Sequence, residues 1–311
     1  MADHPIFAKY RRQAPSIDDT YRVSFFGVKT RQEFEIDLGA GMLTSGEAHE
    51  TGAAVDLPSP KYEDYYEWID LLEAIDQAGD SFTMIELGAG YGRWIANGYF
   101  AAARHRDGRR RTLTLIAAEA DARRFEWMRQ HLGDNNIAVD PRHLLQLAVA
   151  EHHGFSLFPL SSVYRYGDAL AAIDSATAEG LQERLAQLYQ DGVRACSIPG
   201  EPHPYQITRL VPASDIIALA EGVVDVVHMD IQGAEVGAIQ GSIACINEKV
   251  KRMHIGTHSP EIEDSLYRLL VANGWAIKRF YPGLTDCHAE YGLFMPRDGI
   301  ISCVNSRFAA E

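Results

Sequence analysis

IELGAGYGRW, at residues 85–94, places three glycines at alternate positions behind a short apolar run. In an open parallel sheet, the first strand-to-helix turn lies at the carboxyl edge of the strands, where ligands bind. Gly88 and Gly90 permit tight or left-handed backbone and let a ligand approach the main chain, while Gly92 lets the helix pack against the strand. The stretch therefore predicts a ligand-binding turn of an α/β fold.

The spacing of this loop indicates which nucleotide it holds. A dinucleotide site prefers G-x-G-x-x-G, whereas this loop reads E-x-G-x-G-x-G from Glu86. An acid ahead of the first glycine favours a ligand with an ammonium group, and Glu119 at the end of the next apolar run is placed to bind ribose hydroxyls. The pattern favours S-adenosylmethionine over a nicotinamide dinucleotide. The candidate cofactor contacts are Glu86, Gly88, Ala89, Gly90, Gly92, Glu119, Ala120, Ala148 and Asp230.

Length and composition indicate a globular protein. At 311 residues the chain can form one large α/β domain or two small ones. No tract is apolar enough to span a bilayer, and the amino-terminal MADHPIFAKYRRQ lacks the apolar core of a signal peptide. Four cysteines lie far apart without a C-x-x-C pair, which favours reduced thiols. We therefore expect a cytoplasmic protein.

The charge balance bears on the partners of the protein. A formal net charge of −14 opposes nucleic-acid phosphates, because their binding needs clustered Lys and Arg. The basic run RHRDGRRR, at residues 104–111, lies between two periodic segments and is interpreted as a solvated loop. We expect a small-molecule or glycan acceptor, no nucleic acid and no membrane span, and leave a homo-oligomer open.

Strand and helix patterns alternate from residue 64 onward. One helix begins at Asp64, with Asp64 and Glu67 as a capping box, and another begins at Ser259. The strand-like runs are FTMIEL (82–87), TLTLIAAE (112–119), HLLQLAV (143–149), VVDVVHMD (223–230), VKRMHIGT (250–257) and WAIKRF (275–280). This alternation predicts a doubly wound, Rossmann-like, mostly parallel sheet.

A second motif lies in VVDVVHMDIQGAEVGAIQGS, where a strand ends at Asp230 and a helix begins near Gly233 and Glu235. With this D-x-x-G-x-E pattern the chain resembles the FkbM family of S-adenosylmethionine-dependent methyltransferases over roughly residues 80–280. The resemblance implies a class I methyltransferase fold, with a seven-stranded sheet and a late reversed strand. It also implies methylation of a hydroxyl group, often on a sugar or a natural product.

The chain consists of a domain that resembles the family and two segments that depart from it. Residues 61–311 correspond to the methyltransferase domain, residues 1–60 to an N-terminal arm or lid, and residues 160–205 to an insertion over the acceptor site. The arm and the insertion depart from the family pattern at places where acceptor specificity is usually decided. The identity of the acceptor therefore does not follow from the resemblance.

Three residues are candidates for catalysis. His258 follows a strand at the ligand-bearing edge, and imidazole titrates near neutrality. His258 is therefore the first candidate for the general base, although a structural role fits it equally well. Asp230 can orient that imidazole, bind the acceptor or share a divalent cation, and Glu235 can assist or complement the helix dipole. The cation stays unassigned, because no second Asp or Asn follows Thr257.

Aromatic residues supply candidates for the acceptor site. These are Tyr62, Tyr65, His203 and Tyr205, whereas Trp68 is expected in the core. His228 and His254 lie inside strands and are expected to be packed and satisfied. Two other functions remain open. One is a nicotinamide-dependent oxidoreductase, which Glu86 argues against, and the other is a catalytically silent S-adenosylmethionine-binding protein.

Overall fold

The computed structural model describes residues 3–13, 20–36, 58–160, 180–198, 200 and 203–308. Within these ranges the strands are β1 (Tyr21–Val23), β2 (Lys29–Arg31), β3 (Ser81–Leu87), β4 (Thr112–Glu119), β5 (Leu144–Gln146), β6 (Ala148–Ala150), β7 (Gly154–Pro159), β8 (Ala195–Ser197), β9 (Pro204–Pro212), β10 (Val226–Met229), β11 (Arg252–Thr257), β12 (Trp275–Tyr281), β13 (Cys287–Ala289), β14 (Gly292–Phe294) and β15 (Gly299–Asn305). The α-helices are α1 (Gln32–Ile36), α2 (Asp64–Gln77), α3 (Arg93–Arg104), α4 (Ala122–Asp134), α5 (Leu181–Gln190), α6 (Ala213–Ile217), α7 (Glu235–Lys249) and α8 (Pro260–Ala272). Of the helices described, none combines the length and the apolar character needed to cross a membrane.

The main sheet contains, among the described residues, seven strands in the order β12-β15-β11-β10-β3-β4-β5. The strands from β11 to β5 run parallel, and β15 runs antiparallel to both β11 and β12. This order, with one reversed strand next to the edge, is that of the class I methyltransferase fold, so the predicted Rossmann-like sheet is confirmed. The strand order reverses between β3 and β10, which places a ligand crevice at the carboxyl ends of those two strands.

Two parts of the sheet differ from the strands predicted by pattern. The run at 143–149 is not one strand, because β5 pairs with β4 in the main sheet whereas β6 pairs with β9 in a second sheet. That second sheet also contains β7 and β8. Of the segment interpreted as an insertion, the described part holds α5, β8 and the start of β9. Residues 161–179 of the segment lie outside the described residues. The reversed strand, β15, is absent from the predicted runs.

Two apolar layers cover the faces of the main sheet. On one face, Trp68 of α2, Ile95 of α3 and Met128 of α4 are buried in a single core. On the other face, Ile239 of α7 and Leu266 of α8 are buried in a second core. Burial of these side chains removes apolar surface from water on both sides of the sheet, which leaves its carboxyl edge as the place for polar groups.

The amino-terminal segment packs into the first of these cores. Phe7, Tyr10 and Phe26 are buried there, and the Tyr10 hydroxyl donates a hydrogen bond to the carbonyl oxygen of Leu72 at 2.5 Å. The described part of the predicted arm is therefore core and not a lid. Residues 37–57 of the arm lie outside the described residues, so a lid formed by them stays a prediction.

A polar row crosses the sheet beneath α2. The register of neighbouring strands aligns Glu86 with His228, His228 with His254, and His254 with Ser302. Asp70, which α2 buries completely, lies with Oδ2 2.7 Å from His254 Nδ1 and accepts a hydrogen bond from Ser302 Oγ at 2.6 Å. The row ties α2 to the three strands β10, β11 and β15 by polar contacts in an otherwise apolar interface.

The predicted capping box at the start of α2 is wrong. Glu63 occupies the cap position and makes no capping hydrogen bond through its side chain. Asp64 instead pairs with Arg93 of α3, and Glu67 Oε2 lies 2.7 Å from His228 Nε2. Both acids of the predicted box therefore face neighbouring elements, because tertiary partners compete successfully for their carboxylates.

Asp70→Asn is expected to lower the free energy of unfolding by about 3 kcal/mol or more, because it deprives Arg252 and Arg279 of their most deeply buried carboxylate. Both guanidinium groups bond Asp70 Oδ1, at 3.0 and 2.8 Å. Urea denaturation followed by circular dichroism measures the change. Asp264→Asn, which removes an exposed ion pair with Arg268, is the matched control and should cost less than about 1 kcal/mol. Equal losses in the two variants would contradict this account of Asp70.

Candidate active site

Gly88 lets two strand ends meet. Its φ is +80°, and a Cβ at this position would lie 1.8 Å from the carbonyl oxygen of Asp230. The Asp230 amide in turn donates to the carbonyl oxygen of Leu87 at 2.9 Å. The room that Gly88 provides is therefore filled by the end of β10 and not by a ligand.

Gly90 borders open space. Its φ is +55°, and a Cβ at this position would meet no described atom within 4 Å. The Gly90 amide donates to Glu119 Oε2 at 2.6 Å, and Glu119 Oε1 accepts from the Asp121 amide at 2.8 Å. Burial raises the pKa of Glu119 to about 7. Gly90 and Glu119 thus lie side by side at the carboxyl edge of the sheet, and their role as cofactor contacts stays a prediction.

Gly92 serves helix packing in a different way from the one predicted. A Cβ at Gly92, where φ is +76°, would lie 2.8 Å from Cγ of Met128 on α4. The glycine therefore allows α3 to approach α4, whereas the sequence interpretation assigned it to the contact between helix and strand.

Glu86 anchors the start of α3. Its Oε1 accepts from the Trp94 amide at 3.2 Å and its Oε2 accepts from the Ile95 amide at 2.8 Å. Burial raises the pKa of Glu86 to about 8, although these two amides act in the opposite direction. The carboxylate thus satisfies amides that the first helical turn leaves unpaired. This fixes the loop between Glu86 and α3, the part of the fold that holds Gly88 and Gly90.

The other predicted cofactor contacts lie along the same edge. Ala89 is buried with its amide 2.9 Å from the carbonyl oxygen of Ala118, and Ala148 is buried in β6. Ala120 is half-buried, and its carbonyl oxygen accepts from Gln206 Nε2 at 2.7 Å. Gln206, which the sequence analysis missed, comes from β9 of the second sheet and also accepts from the Ala122 amide at 3.0 Å. The second sheet therefore braces the segment that follows Glu119.

His258 lies between two carboxylates. Its Nδ1 is 2.9 Å from Glu235 Oε1 and its Nε2 is 3.2 Å from Asp230 Oδ1. The Nε2 contact is close enough for an ion pair but lacks hydrogen-bond geometry, so attraction between the charges dominates it. Burial alone would lower the pKa of His258, but these two acids raise that pKa to about 10. The ring is therefore an imidazolium at neutral pH.

Glu235 holds this imidazolium in place. It is fully buried at the start of α7, and besides His258 it accepts from the Gly233 amide at 3.0 Å. It also accepts from the Ile231 amide at 3.3 Å. With its oxygens committed in this way, Glu235 is a positioning residue.

The geometry assigns the roles differently from the sequence interpretation. An imidazolium flanked by carboxylates has no free lone pair, so His258 does not fit the part of proton acceptor at neutral pH. Asp230 does fit it, since nearby His258 keeps the pKa of Asp230 below its usual range despite burial. The Asp230 side chain is 23% exposed, compared with 0% for Glu235, so Asp230 is the acid that faces the crevice.

Two further acids lie at this edge and were missed by the sequence analysis. Asp298 directly precedes β15, whose Gly299 pairs with Thr257, next to His258. The main-chain amides of Arg297 and Asp298 donate to Glu63 Oε2 at 2.8 and 3.3 Å. Burial, followed by the charge of nearby Asp64, raises the pKa of Glu63 to about 8. Because β15 is antiparallel, its first residues reach the edge where the parallel strands end.

The aromatic candidates for the acceptor site fall in different places. Tyr65 is fully buried, with its hydroxyl 2.7 Å from the His4 amide, so the prediction for Tyr65 is wrong. Tyr205 is partly buried and packs against the small core that contains Leu185, and an acceptor role for it stays a prediction. Tyr62 and His203 are half-buried, and an acceptor role for them stays a prediction.

One group in the described part of the chain has ligand atoms close enough to hold a metal ion. Atoms of Glu67, His228 and His254 lie within 4.8 Å of one another. Both histidines belong to the polar row, where His228 Nε2 pairs with Glu67 and His254 Nδ1 with Asp70, while His228 Nδ1 has no hydrogen-bond partner among the described residues. The group lies beneath the crevice and differs from the pair of strand ends considered in the sequence. A metal at Asp230 therefore stays unassigned.

No protein-family profile matches the chain. Over 261 residues it is 27% identical to the protein named "Putative methyltransferase" from Jannaschia sp. (strain CCS1), and the alignment covers 84% of each chain. This relative and the strand order together support a methyltransferase of class I fold.

Solved structures with a similar fold include the methyltransferase FkbM from Methylobacillus flagellatus KT, at 14% identity and a TM-score of 0.40. That similarity covers 73% of this chain but only 44% of the FkbM chain, less than half its length. An rRNA methylase from Streptococcus thermophilus is 8% identical, with a TM-score of 0.40 over 79% of this chain and 98% of the other. Membership of the FkbM family does not follow from likenesses of this extent.

The charge of His258 can be tested directly. In NMR titrations its ring signals should keep imidazolium shifts up to pH 8, because its pKa is raised to about 10. Glu235→Gln should lower that pKa, because it removes one of the two flanking charges. Since the native pKa is raised, the stability contributed by the charged ring is complete below about pH 6.5 and is lost as the pH rises through about 10.

The matched control for Glu235→Gln is Asp264→Asn, which changes an exposed acid on α8 that pairs with Arg268. It should leave the His258 titration unchanged. A His258 ring that is neutral at pH 7 in the unaltered protein would contradict the arrangement described.

Proposed function

We propose that the chain is an S-adenosylmethionine-dependent O-methyltransferase. The observation that carries the proposal is the space beside Gly90 that no described atom fills, next to Glu119 and at the same edge of the sheet as Asp230. The unfilled space beside Gly90 fits a ligand against the main chain, and the buried carboxylate of Glu119 fits ribose hydroxyls. Glu86 contributes by fixing the loop, since its carboxylate is engaged by helix amides.

The cofactor would supply an electrophilic methyl group on its sulfonium. The protein then has to align the acceptor oxygen and remove its proton. Asp230 is ionised at neutral pH and is the proton acceptor in this proposal. A carboxylate suffices for this step, because the acceptor oxygen becomes strongly acidic as its new bond to carbon forms.

His258 and Glu235 support Asp230. The imidazolium keeps the Asp230 carboxylate ionised beside several other acids, and Glu235 holds the imidazolium by its Nδ1. Loss of His258 would leave two buried carboxylates facing each other, which raises the pKa of at least one of them. His258 is accordingly a positioning residue that acts through Asp230.

We infer that the acceptor is a hydroxyl of a sugar or a natural product, as in the FkbM family. The edge around His258 offers acceptors for hydroxyl hydrogens in Asp230 and Asp298. It also offers Arg297, whose charge acts on Asp298, as a nearby cation. Charged acceptors and a donor of this kind suit a polyhydroxylated molecule better than an apolar one.

Asp230→Asn is expected to reduce methyl transfer by about two to four orders of magnitude, because it removes the proton acceptor and keeps the side-chain volume. Affinity for adenosylhomocysteine should change by less than about tenfold, which corresponds to about 1.4 kcal/mol. The assay supplies donor with an isotopically labelled methyl group to fractionated glycans and small metabolites, and locates the product by mass spectrometry.

The control for this assay is Asp264→Asn, which should transfer label at the rate of the unaltered protein. Label on nucleic acid or on protein nitrogen would contradict the proposed acceptor. If no fraction is labelled by a protein that binds adenosylhomocysteine, the chain is a silent binding protein and not an enzyme.

A further inference from the structure

A second cleft lies at the opposite end of β4 from the crevice. It has a volume of about 720 Å³ and is bordered by α3, by the loop before β4 and by the segment before β5. The cleft extends along β4 as far as Leu115, whereas Glu119 ends that strand at the crevice, so about 13 Å of strand separates the two. A ligand in the cleft would therefore occupy a site separate from the proposed cofactor.

Arginines of the basic run border this cleft. Arg109, Arg110 and Arg111 line it together with His143. The interpretation of this run as a solvated loop is only partly right, since the Arg111 side chain is 1% exposed. Clustered guanidinium groups repel one another. In a chain with a net charge of −14, this cluster is a local concentration of positive charge.

Asp107 fixes the guanidinium group of Arg111, and one hydrogen-bond donor of that group bonds no described residue. Its two terminal nitrogens lie 3.4 and 2.6 Å from the carboxylate oxygens of Asp107, which fixes the plane of the guanidinium. Its Nε is buried and has no hydrogen-bond partner in the part of the chain that the structure describes. A buried donor without a partner costs free energy unless a ligand or water satisfies it. The fixed group therefore fits an anionic oxygen supplied from the cleft.

The acids nearby neutralise only part of this charge. Asp107 also lies 3.7 Å from Arg109, and Asp140, which lines the cleft, pairs with Arg142 at 2.6 Å. For Arg110, exposed at the rim, the structure gives no ion pair within the described residues. A phosphate monoester has three terminal oxygens and up to two negative charges, so it can bond several guanidinium groups at once, and the remaining donors suit it better than a carboxylate with two oxygens and one charge.

One wall of the cleft is apolar or aromatic. Tyr99 is half-buried on its wall, and Ala102 and Val139 line it as well. These side chains offer a surface for the organic part of a ligand, which inorganic phosphate would leave uncovered. We propose that the cleft binds a small organic phosphate monoester, with the phosphate at Arg109, Arg110 and Arg111 and the organic group against Tyr99.

Calorimetric titration of the whole chain with uridine monophosphate tests the proposal. Saturating adenosylhomocysteine is present to occupy any nucleoside site in the crevice, and 50 mM salt limits screening, so the Debye length is about 14 Å. Uridine monophosphate should bind, and uridine, which lacks the phosphate, should bind at least tenfold more weakly. Equal binding of the two probes, or no heat with either, would overturn the proposal.

Matched variants locate the binding. Arg109→Ala/Arg110→Ala should weaken uridine monophosphate at least tenfold, since each charged hydrogen bond is worth about that factor. Arg129→Ala/Arg268→Ala, which removes two exposed arginines from α4 and α8, is the control and should leave binding unchanged. Binding that survives the first pair would overturn the assignment to this cleft.

Arg111 is tested without disrupting its ion pair. Arg111→Lys keeps a positive charge for Asp107 but lacks the Nε donor, so it should weaken the phosphate probe at least threefold while the melting temperature changes little. An affinity equal to that of the unaltered protein would remove Arg111 from the site. All these results are independent of methyl transfer, so the proposal for the cleft can fail while the proposed function holds.

Discussion

The site depends on one close approach, between Gly88 at the end of β3 and Asp230 at the end of β10. A side chain at residue 88 would occupy the position of the Asp230 carbonyl oxygen, 1.8 Å away. Without a Cβ, the two strands that flank the reversal of strand order can end side by side. The glycine loop and the acid of the later motif then share one edge, although 142 residues separate Gly88 from Asp230 along the chain. The crevice between them is a direct consequence of that junction.

Buried acids hold this edge together in two ways. Glu86 and Glu119 accept main-chain amides and so fix the loop and the end of β4. Asp230 and Glu235 enclose His258, whose positive charge offsets theirs. Burial makes each acid costly when it is unpaired, so each is tied to an amide or a cation. Asp230 is the member of this set that keeps part of its side chain accessible, which suits it to contact a substrate.

The sequence predicts the periodic part of this protein well and the long-range part poorly. Gly90 and Glu119 lie where the motif places them, because local spacing fixes a strand-to-helix turn. Glu67 was misassigned, since its partner His228 lies 161 residues away and no local pattern reveals it. The charge of His258 depends on Asp230 and Glu235, which lie far from it in the sequence pattern. Tyr65 is buried in the core, where its hydroxyl lies against the amide of His4 in the amino-terminal segment. The apolar character of 299–305 was the available signal for β15, and with it for Asp298.

The claim that a nucleoside cofactor lies against the open side of Gly90 is tested most directly by calorimetric titration of adenosylhomocysteine into the unaltered protein and Gly90→Ala. The added methyl group meets no described atom within 4 Å, so the left-handed backbone should cost this variant only about 1–2 kcal/mol of folding stability. The account predicts one site per chain in the unaltered protein and at least tenfold weaker binding in the folded variant. Equal affinities in the two proteins, or no binding to either, would contradict it.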